Sequence, residues 1–467
     1  MGNPLNDLKN LGNSDWLIGC NSLQLQQLAE EFYLELITFC ASGTTPKILL
    51  AQRQPERFLA GLIAACTANC QVFLCNPDWG TQEWQQVFDL VQPDIIWGEI
   101  KVYTTPSCLV GERSRTTSLV GERSRTTSPS PLIMIPTGGS SGKIKFAIHT
   151  WDTLIASVQG FKEYFYLNYI NSFCVLPLYH VSGLMQFMRS FTTGGKLAIL
   201  PFKELENSQI DNIEISEFFI SLVPTQLQRL LQNPNLTKWI SQFKTVLLGG
   251  APAWDELLEK ARFHSIRLAP TYGMTETASQ IATLKPDDFL NGKVNSGQIL
   301  PHAQVEILNQ QGEILDKNQT GNITIKAKSL AIGYYPKIWE NKQNFQVDDV
   351  GFLDTQGYLN IIGRNSDKII SGGENIYPGE IESAIRATEM VNDICVIGIP
   401  DTHWGQALTA IYIPKSAHTA LEIKTAIQDK LSKFKIPKHW IPVSNLPRNS
   451  QGKINRQQLQ KLALQYI

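Results

Sequence analysis

With 467 residues, 43% hydrophobic and 18% charged, the chain exceeds one ordinary compact domain and predicts about two to four units with a sizeable core. Its 41 Lys+Arg stand against 42 Asp+Glu, a formal net charge of -1, which excludes the one-sided field by which a protein gathers nucleic acid. The eight cysteines (20, 40, 66, 70, 75, 108, 174, 395) fall in no C-x-x-C or Cys/His spacing of a zinc site, and a reduced compartment is expected.

In chain order, the opening MGNPLNDLKN lacks the basic, apolar and small-residue succession of an export signal, and no apolar run approaches the ~20 residues of a membrane helix. The expectation is a cytoplasmic protein without membrane insertion. From Asn21 to Cys40, apolar Leu25, Leu28, Ala29, Phe32, Leu36 and Ile37 keep helical spacing behind a cap at Asn21 or Ser22. Lys47 to Ala51 and Gln71 to Cys75 are short apolar runs around an alanine-rich helical stretch, the βαβ rhythm of a parallel sheet. The decapeptide LVGERSRTTS at 109–118 recurs at 119–128; it reads as an exposed flexible loop left by duplication, with a basic docking segment as the alternative. Buried-strand runs continue at Phe173 to Leu178, Lys196 to Leu200, Phe218 to Val223 and Thr245 to Leu248.

After about Gly297 the pattern becomes alternating strands broken by Gly and Asn, in AQVEIL, GNITIKA and GYLNIIG, read as hairpins or a small barrel. Beyond Arg364, strands at Asp393 to Ile399 and Leu408 to Ile413, a helix near Leu421 to Ser432 and a lysine-rich end read as a separate α+β unit of about 100 residues. The predicted architecture is an α/β N-terminal domain, residues 1–365, with a β-rich part from about 298, followed by a small C-terminal domain at 366–467.

Four segments carry candidate chemistry. PTGGSSGKIKF (136–146) follows the apolar strand PLIMI. Small residues Thr137, Gly138, Gly139, Ser140, Ser141 and Gly142 let backbone N–H groups and hydroxyls point at a polyanion, with Lys143 and Lys145 as countercharge. It is not a G-x-x-x-x-G-K-[ST] loop, and a plain flexible Gly/Ser loop is the alternative. In TYGMTETAS (271–279), Tyr272 can stack on a base, Gly273 admits close backbone approach, Thr275 can donate to a phosphate and Glu276 can hold a hard cation; a surface turn is the alternative. Asp349 and Arg364 can both bond a ribose, or form a surface pair. Lys453, in PRNSQGKINR, follows a glycine in a polar turn where a lysine often serves only solubility.

Together, in this order, the four resemble the adenylate-forming superfamily of acyl-CoA synthetases, luciferases and peptide-synthetase adenylation domains, over roughly residues 20–457. The resemblance implies magnesium-dependent use of ATP, a carboxylic acid and coenzyme A through an acyl-adenylate. It puts Lys145 in the place of the loop lysine, although the family's flanking Pro and Gly are here Ile144 and Phe146. Tyr272, Thr275 and Glu276 match the adenine, phosphate and magnesium positions. Asp349 matches the ribose aspartate, with Val347-Asp348 where the family has Thr-Gly, and Arg364 the ribose arginine. Lys453 matches the lysine of adenylation, Ser366 the hinge between domains, and Gly249, Gly250, Ala251 and Pro252 the loop along the adenine. His180, with Ser182 close by in PLYHVSG, matches the acyl-pocket lining, and Gly372 and Gly373 open a pantetheine channel for coenzyme A.

A narrower likeness rests on YGMTETASQ ending in Gln280, SGGENIYPGEIE and FAIHT. It is to ligases whose acid carries a ketone and a second, ring-borne carboxylate. Such an acid needs an apolar slot with polar or cationic donors, for which Ser182, Gln186, Gln228 and Arg229 are candidates. The alternatives are a medium-chain or aromatic acyl-CoA ligase, an enzyme that loads a carrier protein, and a non-catalytic nucleotide sensor.

Overall fold

The computed structural model describes residues 3–12, 15–41, 43–100, 130–138, 143–206, 213–340, 344–415, 418–448 and 454–466. The duplicated decapeptides, Gly139, Ser140, Ser141, Gly142 and Lys453 lie outside them.

The first predicted helix is Ser22–Cys40, where the Asn21 side chain accepts the Gln24 N–H at 3.1 Å. It buries Leu25, Ala29, Phe32 and Leu36, one helical stripe. That stripe packs on Pro55–Thr67, a helix buried nearly all round. Gly61 makes the approach close there: a Cβ would stand 2.8 Å from Leu50 Cδ1 and 3.1 Å from Trp97 Cε3.

Two large sheets follow from the apolar runs. One is ordered Lys337–Ile338, Gly333–Tyr334, Ile144–Thr150, Leu132–Gly138, Gln71–Leu74, Lys47–Ala51, Ile95–Gly98, parallel among its last four strands. The other runs Leu17–Ile18, Leu197–Ile199, Asn171–Cys174, Phe218–Leu222, Thr245–Leu248, Leu268–Met274, Ser279–Thr283, Gln298–Ile299, parallel until Leu268–Met274 and antiparallel beyond. Ile48, Leu50, Val72 and Ile133 of the first share a core with Cys174, Phe219, Leu247 and Ala269 of the second. Helices Trp151–Tyr164 and Val181–Thr193 contribute Leu154, Phe161, Leu184 and Phe187 to that same core.

Of the hairpins or small barrel expected after Gly297, the hairpins are realised. Ala303–Leu308, Gly321–Ala327, Phe345–Leu353 and Leu359–Arg364 form an open antiparallel sheet, its first and last strands unpaired with each other. The reason is where its apolar face goes: Val305, Ile307, Ile323, Ile325 and Leu359 pack on Ile281 and Ala282 of the large sheet, so the face is covered without curling shut. The C-terminal sheet is built on the long pair Val391–Asp401 and Gly405–Pro414, with cores on both faces. The expected helix there is shorter, Ala420–Ile427, capped by Thr419.

Candidate active site

The loop that opens the first motif joins two antiparallel strands, Leu132–Gly138 and Ile144–Thr150, in which Thr137 faces Lys145 and Gly138 faces Ile144. The two residues that depart from the superfamily pattern at this loop both make contacts. Phe146 is fully buried, edge-on to Phe73 at 5.2 Å, and the Ile144 N–H donates to Gln86 Oε1 at 3.1 Å. Because side chains alternate along a strand, burying Phe146 turns Lys145 to the open side. There its Nζ stands 5.5 Å from the centroid of Tyr334.

Tyr334 pairs with Ala147 of the same sheet, and its hydroxyl donates to Glu276 Oε1 at 2.6 Å. Burial and the Glu276 carboxylate push the Tyr334 phenol well up, so it stays a donor. Glu276, 7% exposed, sits in the short 3₁₀ turn Thr275–Thr277. Four consecutive carbonyls, those of this turn and of Ala278 after it, are held from three segments: a strand, a helix and one loop. His149 Nε2 bonds the Thr275 oxygen at 2.8 Å, the Ala331 N–H that of Glu276 at 2.7 Å, Ser329 Oγ that of Thr277 at 2.9 Å and Ser157 Oγ that of Ala278 at 2.7 Å. The bonds fix a backbone that turns through two left-handed residues, Ala278 (φ 51°) and Ser279 (φ 87°). Since a carbonyl can only accept, Nε2 carries the His149 proton. Burial pushes that imidazole down to about 4, so the ring is neutral near pH 7.

Asp349 and Arg364 are directly opposite on neighbouring antiparallel strands, with Arg364 Nε donating to Asp349 Oδ1 at 3.0 Å. The Tyr272 hydroxyl donates to the other oxygen at 2.6 Å. Burial would lower the Arg364 guanidinium, but Asp349, Asp367 and Asp348 outweigh it and hold it above its ordinary value. Along the same strand the pleat turns Asp349 inward and Asp348 outward. Asp348, the second departure from the superfamily pattern, accepts from both the backbone N–H and the hydroxyl of Ser366, and its own carbonyl accepts the Asn365 N–H at 2.8 Å.

Gly249 and Gly250 leave the C-terminal end of strand Thr245–Leu248, where parallel sheets gather ligands. A Cβ at Gly249 would stand 2.5 Å from Thr271 Oγ1, and one at Gly273 2.2 Å from the Ser279 carbonyl oxygen. Ala251 and Pro252 continue that loop, exposed. His180 is the N-cap residue of helix Val181–Thr193, and the Ser182 carbonyl accepts from Gln186 within it. Gly372 and Gly373 form the turn between Ile369–Ser371 and Glu374–Ile376, both with positive φ (59° and 86°), the requirement of a tight hairpin. Gly372 also lies against Trp404, 3.0 Å from a built Cβ.

Residues 43–335 match the family of AMP-binding enzymes, and 380–453 match the AMP-binding enzyme C-terminal domain. The chain belongs to the AMP-binding enzyme family. Among curated relatives, the 2-succinylbenzoate--CoA ligase of Oceanobacillus iheyensis is 36% identical over 61% of this chain and 60% of its own length. That of Listeria monocytogenes is 36% identical over 70% and 68%. The chain thus spans about three fifths of the first relative and two thirds of the second. Two solved structures share the fold. The o-succinylbenzoate CoA synthetase of Bacillus subtilis with its acyl-adenylate intermediate has a TM-score of 0.81 at 23% identity over 98% of both chains. ATP-bound MatB of Rhodopseudomonas palustris has 0.80 at 21%, over 98% of both.

Within this AMP-binding fold, one residue proposed for the acid from sequence is already engaged by another side chain. Arg229, exposed on helix Pro224–Leu230, pairs with Glu206 and covers Phe202, while Gln228 beside it is half-buried. The sequence reading also missed His149, Tyr334 and Arg189. The signal was available for two of them: a histidine in the apolar strand FAIHT and an arginine in the apolar helix VSGLMQFMRSF, each expensive to bury without a task. For Tyr334, nothing in the sequence ties it to Glu276, 58 residues away.

Proposed function

We propose that this protein is an AMP-forming acid–thiol ligase that converts 2-succinylbenzoate, ATP and coenzyme A into the acyl-CoA, AMP and pyrophosphate, a step toward menaquinone or phylloquinone. The observation that carries the reaction class is the connected polar set at the loop strand: Lys145 over Tyr334, Tyr334 on Glu276, and the Glu276 turn tied back to the same strand by His149. The names of the relatives support the choice of acid.

In the first half-reaction an oxygen of the acid attacks the α-phosphorus. The new acyl–phosphate bond forms as the bond to the β-phosphate oxygen breaks and pyrophosphate leaves. No general base is required, because the acid is ionised at neutral pH. The task is to hold the reactants in line and to stabilise charge gathering on phosphate oxygens. We assign Lys145, Thr275, Lys453 and the loop from Thr137 to Gly142 to that charge. Asp349 and Arg364 take the ribose hydroxyls, Tyr272, Gly273 and the Gly249–Pro252 loop the adenine, and His180 and Ser182 the acyl chain.

Glu276 fits magnesium. Tyr334 occupies one of its oxygens and lone pairs on the other remain for a hard cation. Among the described residues no three acidic, His or Cys side chains make a closed cage, which suits an ion that keeps waters and phosphate ligands. When bound, magnesium supplies positive charge against the phosphates.

In the second half-reaction the thiol sulfur of coenzyme A forms a bond to the acyl carbon, the bond to AMP breaks, and the thiol proton leaves to solvent. We assign to this step a rotation of the unit from 366 onward about Ser366, bringing the Gly372-Gly373 turn to the acyl-adenylate.

The test is AMP release with a panel of carboxylic acids, with and without coenzyme A. Turnover of 2-succinylbenzoate dependent on coenzyme A is expected. If that acid is inert while a simple benzoate or fatty acid turns over, the named substrate falls and the reaction class survives. Release driven by a holo-carrier protein instead of coenzyme A points to a carrier-loading enzyme. No AMP from any acid removes the proposal.

A further inference from the structure

Of the seven described cysteines, five are buried and two, Cys20 and Cys40, are half-buried. Burial and the neighbouring Glu56 carboxylate push the Cys20 thiol up to about 12. Cys40 instead faces a second thiol: its Sγ lies 4.0 Å from that of the fully buried Cys70. A third thiol, Cys66 in the last turn of helix Pro55–Thr67, is buried in the same core as Cys70. Among the described residues no group of three His, Cys, Asp or Glu side chains could hold a metal ion, so the pair is not half of such a site.

The two backbones differ in how firmly they are held. Cys40 is the last residue of helix Ser22–Cys40, between exposed Phe39 and Ala41, where a final turn frays. Cys70 is fixed: its N–H donates to the Ala65 carbonyl at 2.9 Å, behind left-handed Asn69 (φ 57°), and strand Gln71–Leu74 begins at the next residue. A disulfide sets its sulfurs about 2.05 Å apart, so closure asks for a shift of about 2 Å, which the helix end can supply. The pair also lies away from the nucleotide. Gln71 faces Leu132 in parallel register, whereas the loop assigned to the phosphates leaves the far end of Leu132–Gly138. Six steps of about 3.3 Å from Leu132 to Gly138 separate those two edges of the sheet by about 20 Å.

We propose that Cys40 and Cys70 are a covalent modification site, a reversible disulfide that staples helix Ser22–Cys40 to the start of strand Gln71–Leu74. The oxidant is a small-molecule disulfide. The Cys40 thiolate attacks one of its sulfurs, the old S–S bond breaks and one small thiolate leaves. Cys70 then gives its proton to solvent, its sulfur attacks that of Cys40, and the second small thiolate leaves. Two protein thiols are oxidised as one disulfide is reduced to two thiols. Burial pushes the Cys70 thiol well up, so the second exchange is the slow one. The link joins positions 30 apart, which restricts the unfolded chain and so favours the folded one.

The experiment incubates the full native chain with oxidised glutathione, alkylates the remaining thiols and maps the peptides without reduction. Cys40→Ser, Cys70→Ala and Cys66→Ala are treated alongside, and every protein is melted with and without magnesium-ATP. A linked pair of peptides carrying Cys40 and Cys70 is expected, reopened by dithiothreitol. Cys66→Ala should keep the link, and the other two variants should lose it. The linked protein should melt about 5 °C higher than the reduced one. Because the staple is remote from the nucleotide, the further rise given by magnesium-ATP should be the same in both. Glutathione retained on Cys40 without closure, a link made through Cys66, or no link in wild type overturns the site. That map is read on wild type, so it decides even where a variant fails to fold. A linked protein that melts no higher, or no longer responds to ATP, overturns the staple.

Discussion

The nucleotide end and the acyl end of the proposed site are built on opposite plans. At the first, several polar groups already have counterparts: Tyr334 on Glu276, Tyr272 and Arg364 on Asp349, four carbonyls in a row held by four donors. On and beside the helix that His180 caps, to which the acyl chain is assigned, Arg189, His302 and Gln186 have buried polar atoms left over. A ligand common to every turnover is best met by a preorganised network, which needs no reorganisation when charge develops. Discrimination between acids is gained by leaving buried groups for the right one to satisfy, since a wrong one then leaves them unpaired.

That contrast can be broken from the nucleotide side first. Glu276→Ala is expected to lower pyrophosphate release by about 10²–10³-fold, the usual loss for one preorganised electrostatic partner. Lys453→Ala should cost a similar factor in adenylation yet leave thioester formation from supplied acyl-adenylate nearly intact. Equal loss in both half-reactions would undo its assignment. Asp349→Ala, by removing the acceptor shared by Tyr272 and Arg364, should raise KM for ATP by about 10–100-fold with little effect on preference among acids. If preference changes as much as KM, the two ends are not separable.

His149→Gln sharpens the comparison through stability. The folded pKa of about 4 lies below the ordinary 6.5, so the unfolded chain binds the extra proton between them. Stability from this group is present above about pH 6.5 and is lost as pH falls toward 4, by roughly 3 kcal/mol. Denaturant melts across that window should show a shallower decline in His149→Gln than in wild type; parallel declines exclude His149 as the source. The smallest effect is expected from Ser366→Ala, about 1 kcal/mol or less for an exposed contact, seen in the ratio of the two half-reaction rates more than in the melt.

Much of the fold was legible because it depends on local periodicity. Apolar runs became parallel strands, the Asn21 cap opened its helix, and Asp349 met Arg364 because residues flanking one hairpin end up in register. What was not legible joins distant elements. His149 reaches Thr275 across 126 positions and Arg189 reaches Gln280 across 91, contacts that exist only once two sheets and their helices are packed. Periodicity could not say how the late strands cover their apolar face, so an open sheet and a barrel looked alike. The Gly372-Gly373 pair was read for a ligand's sake, while the backbone itself demands glycine there to turn.

In the hinge proposed at Ser366, the bonds between Asp348 and Ser366 act as a detent. On the proposed rotation about Ser366, Asp348 stays with the strand before the joint while the chain beyond the serine swings, so their bonds are remade once per product molecule. A stop of this kind does not drive the cycle. It lengthens the pause at one end of the swing, favouring completion of whichever half-reaction that posture serves before the joint lets go.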